Sequence, residues 1–241
     1  MIYPVEGTRV LFVADTHCPC MHPSLLTLIK KVKKKLKPDL YIHVGDVVDW
    51  NSIKYHPKVE SSLSLYDEID AARAQVSELH KVLPNAYVMI GNHDALPTRL
   101  AADVNIPTEG DYSLVKDIKD YWPAPSWTWV PRFGKLMINP GGDTCVVMHG
   151  DGGVKNLQAG AVVNAFANGC VNFIQGHLHT KVGMYHVNNG IRTFWGINSP
   201  CGLDIDTPGM QYQKRSQLDP VVGVVSWVVG ESPHINLVSD L

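Results

Sequence analysis

Five short segments rich in carboxylate, amide and imidazole side chains follow one another along this chain of 241 residues. They are Asp15-Thr16-His17, Gly45-Asp46-Val47-Val48-Asp49, Gly91-Asn92-His93-Asp94, His149-Gly150 and Gly176-His177-Leu178-His179. Oxygen and imidazole donors bind divalent cations, and two cations held roughly 3.5–4 Å apart need an anionic bridge such as a carboxylate. The residue types therefore predict a two-metal centre that hydrolyses phosphate esters.

Most of these segments directly follow a short apolar run typical of a buried strand. The runs are residues 9–14, 40–44, 86–90, 145–148 and 171–175. Catalytic sites of open α/β sheets lie where the carboxyl ends of strands lead into loops. We therefore expect the five segments to meet at one edge of the fold.

The first half of the chain alternates strand and helix patterns. Residues 24–37 carry apolar side chains at helical spacing up to Pro38, and residues 66–83 form a second helical pattern. Alternation of this kind is typical of βαβ crossovers and a largely parallel sheet. The lysine run at 30–37 falls on the outer face of the first helix, so it indicates a solvated face rather than a nucleic-acid surface.

The second half is richer in strands. Residues 145–148, 171–175, 193–197, 221–229 and 235–238 have strand patterns, with one helix at about 156–167. The last two strands flank Gly230-Glu231-Ser232-Pro233, which suits a hairpin. We predict an α/β fold: a four-layer α-β-β-α sandwich of two packed mixed sheets, with the metal site at the C-terminal ends of the strands, in a single domain over 1–241.

The stretch at about 95–143 is less regular and contains Trp122, Trp127 and Trp129 among several prolines. Two interpretations are open. The stretch is a lid or specificity insert over the site, or its tryptophans simply pack it onto the core, and the second is preferred.

Composition narrows the class of protein. The net charge is −2, so there is no global basic field for nucleic acid, and no apolar stretch approaches membrane-spanning length. The N-terminus has no secretory pattern, and five irregularly spaced cysteines do not form a disulfide framework. We expect a cytoplasmic protein without a membrane partner.

The five segments, in this order over roughly residues 9 to 200, resemble the calcineurin-like metallophosphoesterase superfamily. The resemblance implies that Asp46 bridges two divalent metals and that a water or hydroxide between them attacks phosphorus. It implies this ligand set: Asp15, His17 and His179 for the first metal, and Asn92, His149 and His177 for the second. It implies that His93 is not a ligand but protonates the leaving oxygen, and that Asp49 hydrogen-bonds His93 and raises its pKa.

Each segment alone has a simpler explanation. Asp15 suits a turn after a strand, Asn92 an Asx turn, and His149 a hydrogen-bonded core histidine, while His177 and His179 could face opposite sides of a strand. All five together, in the family order, weigh against these explanations. Among the other histidines, His43 is predicted in the core.

Departures from the family narrow the function. Protein phosphatases of the superfamily carry Arg-Gly where this chain has Trp50-Asn51, and Glu where it has Asp94. A phosphoprotein phosphatase is therefore not expected. Arg99 and Arg132 could replace the missing arginine, and His22 and His56 could rim the site. Asp151 also occurs in some members that cleave nucleotide pyrophosphates.

We predict a dinuclear metal-dependent phosphoesterase acting on phosphodiesters, with a phosphorylated small molecule or nucleic acid as substrate. The alternatives are a phosphomonoesterase or pyrophosphatase on a small metabolite, and a scaffold that has lost catalysis. The donors suit Mn²⁺ first, and Fe²⁺, Zn²⁺, Co²⁺ or Ni²⁺ as alternatives. Neither the exact substrate nor the oligomeric state follows from the residues.

Overall fold

Two six-stranded mixed sheets dominate the protein. The computed structural model describes residues 1–54, 62–101, 118–152, 159–210 and 218–241. Sheet I has the strand order β12-β11-β2-β3-β4-β5, and sheet II has the order β1-β6-β7-β8-β10-β9. The strands are β1 Ile2–Val5, β2 Arg9–Val13, β3 Leu40–His43, β4 Tyr87–Met89, β5 Thr128–Val130, β6 Lys135–Ile138, β7 Cys145–Met148, β8 Asn172–Gln175, β9 Gly183–Asn188, β10 Thr193–Asn198, β11 Gly223–Val228 and β12 His234–Leu237.

The helices cover the outer faces of the sheets. They are α1 Leu25–Leu36, α2 Leu65–Val82, α3 Leu96–Ala101, α4 Ile118–Tyr121 and α5 Gly160–Ala167. The buried face of α1 and α2 joins Leu11 and Val13 of β2 in one apolar cluster, while α5 packs on Phe173 and Phe194 of sheet II. Among the described residues, no helix is long and apolar enough to span a bilayer.

The alternation of side chains in β2 explains the layering. Val10 and Phe12 point into the cluster between the two sheets, and Leu11 and Val13 point to the helices, because successive strand residues face opposite sides. Both faces of such a strand are covered, which accounts for its continuous apolar run. The layers are therefore α5, sheet II, sheet I, and the pair α1 and α2.

Parallel strands at the centre of each sheet bring the loops to one edge. β2, β3, β4 and β5 pair in parallel in sheet I, and β7, β8 and β10 pair in parallel in sheet II. Parallel strands place their carboxyl ends together, so the loops after β2, β3 and β4 leave the same edge. The loops after β7 and β8 leave the corresponding edge of sheet II.

The predicted α/β four-layer sandwich is confirmed. The hairpin around Gly230 is also confirmed, because β11 and β12 pair antiparallel. The third predicted helix, at about 156–167, corresponds to α5, which spans Gly160–Ala167. Its predicted start falls at 153–158, which are not among the described residues. That the whole of 1–241 forms one domain stays a prediction.

Sequence reasoning missed strands β1, β5, β6 and β9, which are short or only partly buried. Two of them, β5 and β6, lie within the stretch at 95–143 and belong to the two sheets, and the lid or specificity insert stays a prediction. Trp122 and Trp127 pack in the cluster beneath α2, as the preferred alternative expected. Residues 102–117 of the stretch lie outside the described residues.

Candidate metal centre

The first two motif loops are held together beyond the ends of their strands. The backbone N–H of Asp15 donates to Gly45 O at 3.0 Å, and that of His17 donates to Asp46 O at 3.1 Å. Asp15, His17 and Asp46 all have left-handed backbone, with φ of 50°, 45° and 51°. Non-glycine residues adopt this conformation at a cost that is common at functional sites. The loops are therefore shaped to aim these side chains.

A buried histidine ties the same two loops together. His43 Nδ1 accepts from the backbone N–H of Gly45 at 3.2 Å, so the ring proton is on Nε2. That nitrogen lies 3.1 Å from Thr16 Oγ1, whose hydroxyl donates to Val47 O at 3.0 Å. The predicted core position of His43 is confirmed, and its structural part in joining the loops was not foreseen.

Glycines in the motifs leave room for carboxylates from other motifs. A Cβ on Gly91 would overlap the Asp46 carboxylate, and one on Gly176 would lie 2.5 Å from Asp15 Oδ2. The amides that follow orient the same carboxylates: His93 N–H donates to Asp46 Oδ1 at 2.8 Å, and His177 N–H donates to Asp15 Oδ2 at 2.9 Å. The Gly-Asn-His and Gly-His spacings thus reflect contacts between motifs.

Asp15, His17 and His179 form the first donor group. One ligand atom from each lies within 4.8 Å of the others. His17 Nε2 is 3.2 Å from His179 Nε2, and His179 Nε2 is 3.4 Å from Asp15 Oδ1. These are the three residues that the sequence assigned to one metal.

Asp46, His149 and His177 form the second donor group, again within 4.8 Å. His149 Nε2 lies 3.0 Å from Asp46 Oδ2 and 3.1 Å from Asn92 Oδ1. Asp46 Oδ2 is also 4.0 Å from His17 Nε2, so its carboxylate lies between the two groups. The structure thus brings all seven predicted ligands together in two adjoining sets.

Hydrogen bonds behind two of the imidazoles determine which nitrogen faces the centre. His149 Nδ1 is 3.0 Å from Val44 O, and His17 Nδ1 is 2.8 Å from Asp49 Oδ1. Carbonyl and carboxylate oxygens only accept, so both rings carry a proton on Nδ1. In the neutral rings each Nε2 then presents a lone pair to the centre, as a metal-binding histidine does.

In the second group, the lone pair of a neutral His149 Nε2 faces the lone pairs of neighbouring oxygens. His149 Nε2 faces oxygens of Asp46 and Asn92, which are acceptors, so the cluster needs positive charge at its middle. Burial by itself would lower the pKa of His149, but Asp46 and Asp15 outweigh it and raise the pKa to about 10. This electrostatic need and the thiolate-free N and O donors fit a divalent metal.

The carboxylates and His17 keep the charge states that a metal requires. Burial opposes ionisation of Asp46, but His149 and His93 outweigh it and hold its pKa well below the usual range. The pKa of Asp15 is also lowered, because His179 outweighs burial. Burial lowers the pKa of His17 to about 4, so this imidazole is neutral at neutral pH.

His93 belongs to neither of these two donor groups, although its ring lies within 4.8 Å of ligand atoms of His17 and Asp49. Its side chain is 17% exposed, and its Nδ1 is 2.9 Å from the backbone carbonyl of Asp49. The Asp49 carboxylate is farther away, with Oδ1 at 3.4 Å. The predicted hydrogen bond between His93 and Asp49 is thus made mainly to the backbone carbonyl of Asp49. Burial would lower the pKa of His93, but Asp46 and Asp49 raise it.

Two residues that sequence reasoning left without a role support the loops. Lys54 forms a buried ion pair with Asp49 and follows the second motif by only five residues, which was its available signal. The Asp94 carboxylate accepts from Val48 N–H at 3.1 Å and Gly91 N–H at 2.9 Å, joining the second and third loops. Burial, followed by Asp46, raises the pKa of Asp94 to about 7.

The other residues that the sequence suggested near the site have different surroundings in the structure. Arg99 is exposed on α3, whereas Arg132 forms an ion pair with Asp151. His22 Nδ1 accepts from Ser24 N–H at the start of α1, and His56 lies outside the described residues. The five cysteines are free thiols, and burial raises the pKa of Cys20 to about 12.

Solved structures with similar arrangements include Vps29 from Cryptosporidium parvum, with 13% identity, 96% of each chain covered and a TM-score of 0.46. The phosphoesterase YfcE from E. coli has 13% identity, 91% of each chain covered and a TM-score of 0.42. The nuclease MPE from Pseudomonas putida has 13% identity, with 92% of this chain and 84% of that chain covered, and a TM-score of 0.39. Similarities this distant assign no activity to the chain.

No curated protein matches the sequence. A family profile does: the calcineurin-like phosphoesterase description matches residues 8–192, which is more than half of the chain and contains all five motif loops. The chain therefore belongs to the calcineurin-like phosphoesterase family.

Proposed function

We propose that this protein is a dinuclear metal-dependent phosphodiesterase. The observation that carries the proposal is the pair of adjoining donor groups, with the Asp46 carboxylate between them and His93 beside them. His17 Nε2 and His149 Nε2 lie 4.0 Å and 3.0 Å from the same Asp46 oxygen. Two cations held by such a shared carboxylate are the arrangement expected for hydrolysis of phosphate esters.

The donor groups assign the metal-binding roles. Asp15, His17 and His179 would hold one cation, Asn92, His149 and His177 the other, and Asp46 both. When bound, a pair of divalent cations neutralises phosphate oxygens and makes hydroxide available at neutral pH. The donor set suits Mn²⁺ first, with Fe²⁺, Zn²⁺, Co²⁺ and Ni²⁺ as alternatives.

His93 is the general acid in this proposal. The Asp49 carbonyl accepts a hydrogen bond from His93 Nδ1–H. The proton that reaches the leaving oxygen must therefore come from Nε2 of the same ring. The His93 side chain is 17% exposed, which leaves the ring accessible to a substrate. The proton leaves His93 as the ester bond to the leaving oxygen breaks, which prevents an alkoxide from accumulating.

The second loop supports the choice of phosphodiesters as substrates. The family's protein phosphatases carry an arginine directly after Asp49, where this chain has the buried Trp50 packed against Tyr121 and Trp122. A doubly charged monoester benefits more than a diester from an additional cation near its oxygens. Replacement of that arginine by a core tryptophan favours diesters.

Metal analysis and a pair of model esters test the proposal. Protein purified without chelator should contain about two equivalents of metal. With Mn²⁺ it should hydrolyse bis-(p-nitrophenyl) phosphate faster than p-nitrophenyl phosphate. A clear preference for the monoester would indicate a phosphomonoesterase. Absence of bound metal together with absence of hydrolysis would indicate a scaffold.

A further inference from the structure

The turn at Pro131–Gly134 lies beside the third motif loop. Gly134 N–H donates to Pro131 O at 2.8 Å, closing the turn between β5 and β6. β5 pairs in parallel with β4, and Ile90 N–H donates to Val130 O at 2.9 Å. The turn therefore leaves sheet I at the same edge as, and next to, the loop that carries Asn92 and His93.

The same turn is joined to the fourth motif loop. Arg132 Nε and Nη2 donate to Asp151 Oδ2 at 2.9 Å and 2.6 Å, and Asp151 is two residues after His149. Gly152 follows, and a Cβ there would lie 3.0 Å from the Phe133 ring. The Arg132–Phe133 turn thus contacts the fourth motif loop and lies next to the third.

Phe133 presents its ring to solvent from this fixed turn. The residue is 57% exposed, although its φ is 64°, a left-handed conformation that bulky side chains disfavour. The Arg132 guanidinium lies 4.5 Å from the ring centroid, and Gly152 packs against one ring edge. An aromatic ring held in a strained turn, yet left largely exposed, contributes little to the core, which points to a binding role.

Resting on the proposed phosphodiesterase function, we infer that the Arg132–Phe133 turn binds a nucleobase of the substrate. One face of the Phe133 ring stacks on the planar base. The Arg132 guanidinium packs on the other face of the Phe133 ring. The ion pair with Asp151 uses two of the five N–H donors of Arg132, so the guanidinium retains donors for an anionic oxygen. A planar base next to a phosphate is the combination that nucleotides provide.

Two esters with the same leaving group differ only in the nucleoside, and removal of the Phe133 ring tests the contribution of its base. Thymidine 5′-(p-nitrophenyl) phosphate and methyl p-nitrophenyl phosphate both release p-nitrophenolate, and only the first carries a base. Phe133→Ala should lower kcat/KM for the thymidine ester by about 10- to 100-fold, as expected for loss of one base-stacking contact. The methyl ester should change by less than about twofold.

Matched variants separate stacking from folding. Phe133→Tyr retains the ring and should keep wild-type kcat/KM for the thymidine ester. Phe133→Asn removes the ring, but asparagine adopts left-handed backbone readily, so the variant should be at least as stable to denaturant as wild type. Its kcat/KM for the thymidine ester should still fall as it does in Phe133→Ala. Equal losses on both esters, or no loss on either, would overturn the inference.

Equilibrium binding keeps the inference testable if the proposed hydrolysis fails. By calorimetry in Mn²⁺, wild-type protein should bind thymidine 5′-monophosphate at least about 10-fold more tightly than methyl phosphate, and Phe133→Ala should abolish that difference. Equal wild-type affinity for the two ligands would refute base binding. Absence of turnover with this preference intact would refute only the phosphodiesterase.

The source of the base is resolved by a third substrate. If Phe133→Ala impairs hydrolysis of both the thymidine ester and the dinucleotide thymidylyl-thymidine, the subsite serves nucleic-acid ends. If it impairs only the thymidine ester, the subsite serves single nucleotides. Both results support a base-binding turn.

Discussion

The two sheets contribute different chemistry to the centre. The loops of sheet I carry both carboxylates of the donor groups, Asp15 and Asp46, together with His17, whereas the loops of sheet II carry the imidazoles of His149, His177 and His179. Each donor group combines residues from both sheets. The centre therefore depends on how the sheets pack, with both carboxylates on one side and three of the four imidazoles on the other.

The two sides also support their histidines differently. His17, from sheet I, is backed by the Asp49 carboxylate, which in turn is paired with Lys54. His149, from sheet II, is backed by the backbone carbonyl of Val44. A carboxylate raises the basicity of the ring in front of it, and it can be removed by mutation, whereas a carbonyl cannot. This difference allows the two donor groups to be perturbed separately.

The largest effect is expected from Asp46→Asn. The amide removes the negative charge shared by the two groups, so metal content should fall from about two equivalents to near zero and hydrolysis should cease. Metal analysis after gel filtration measures this. Asp70→Asn, at a side chain 60% exposed on α2, is the matched control and should retain both metals. Retention of one full equivalent in Asp46→Asn would contradict the bridging role.

His93→Ala should lower kcat by on the order of 10²–10⁴-fold and leave metal content unchanged, because it removes an acid and not a ligand. The loss should be larger for an alkyl leaving group than for p-nitrophenolate, which needs less help from a proton. His186→Ala, at an exposed strand residue, should have no effect on either ester. If His93→Ala lost metal, the division between ligand and acid would be wrong.

Asp49→Asn should distinguish the two donor groups. The amide oxygen still accepts from His17 Nδ1–H, but the charge is lost, so affinity at the first group should fall by roughly 10- to 100-fold. The second group should keep its affinity, and His93 should keep its bond to the Asp49 carbonyl. A Mn²⁺ titration should therefore show weaker binding at the first site and unchanged binding at the second. Parallel weakening of both sites would argue against separate support.

The smallest effects concern the helical cover of each sheet. Leu79→Ala, fully buried on α2, should lower the free energy of unfolding by about 2–5 kcal/mol. Val162→Ala on α5 removes fewer buried carbons and should cost about 1–2 kcal/mol. The exposed Val163→Ala should change stability by less than about 0.5 kcal/mol. Denaturant unfolding compares the three, and a larger loss for Val162→Ala would reverse the ranking.

Local sequence signals predicted the elements with strong periodicity. β2, β7, α1 and α2 follow from continuous apolar runs or from apolar residues at helical spacing, because their burial is nearly complete along one face or both. β5 has three residues and β9 is mostly half-buried at a sheet edge, so neither produces a pattern. β5 forms because β4, which is distant in sequence, offers hydrogen bonds, whereas β9 forms a hairpin with β10, the next strand along the chain.

The candidate ligands could be named from the sequence because five motifs, in order and each after a strand pattern, resemble those of a known family. Their supporting contacts could not be named in the same way. The Asp49 carboxylate turns toward His17 and Lys54, and the Asp49 carbonyl is the closer partner of His93. Which of two oxygens on one residue meets a ring depends on backbone torsions, for which the sequence has no local signal.

The amino-acid sequence by itself determined which chemistry this protein can support, because ligand identity and motif order are properties of individual residues. Tertiary structure decided that carboxylates from sheet I meet imidazoles from sheet II, and that Asp46 lies between both sets. It also decided that Arg132 and Phe133 stand beside the centre. The physical reason is that sheet packing and strand pairing join residues more than a hundred positions apart, which no local pattern encodes.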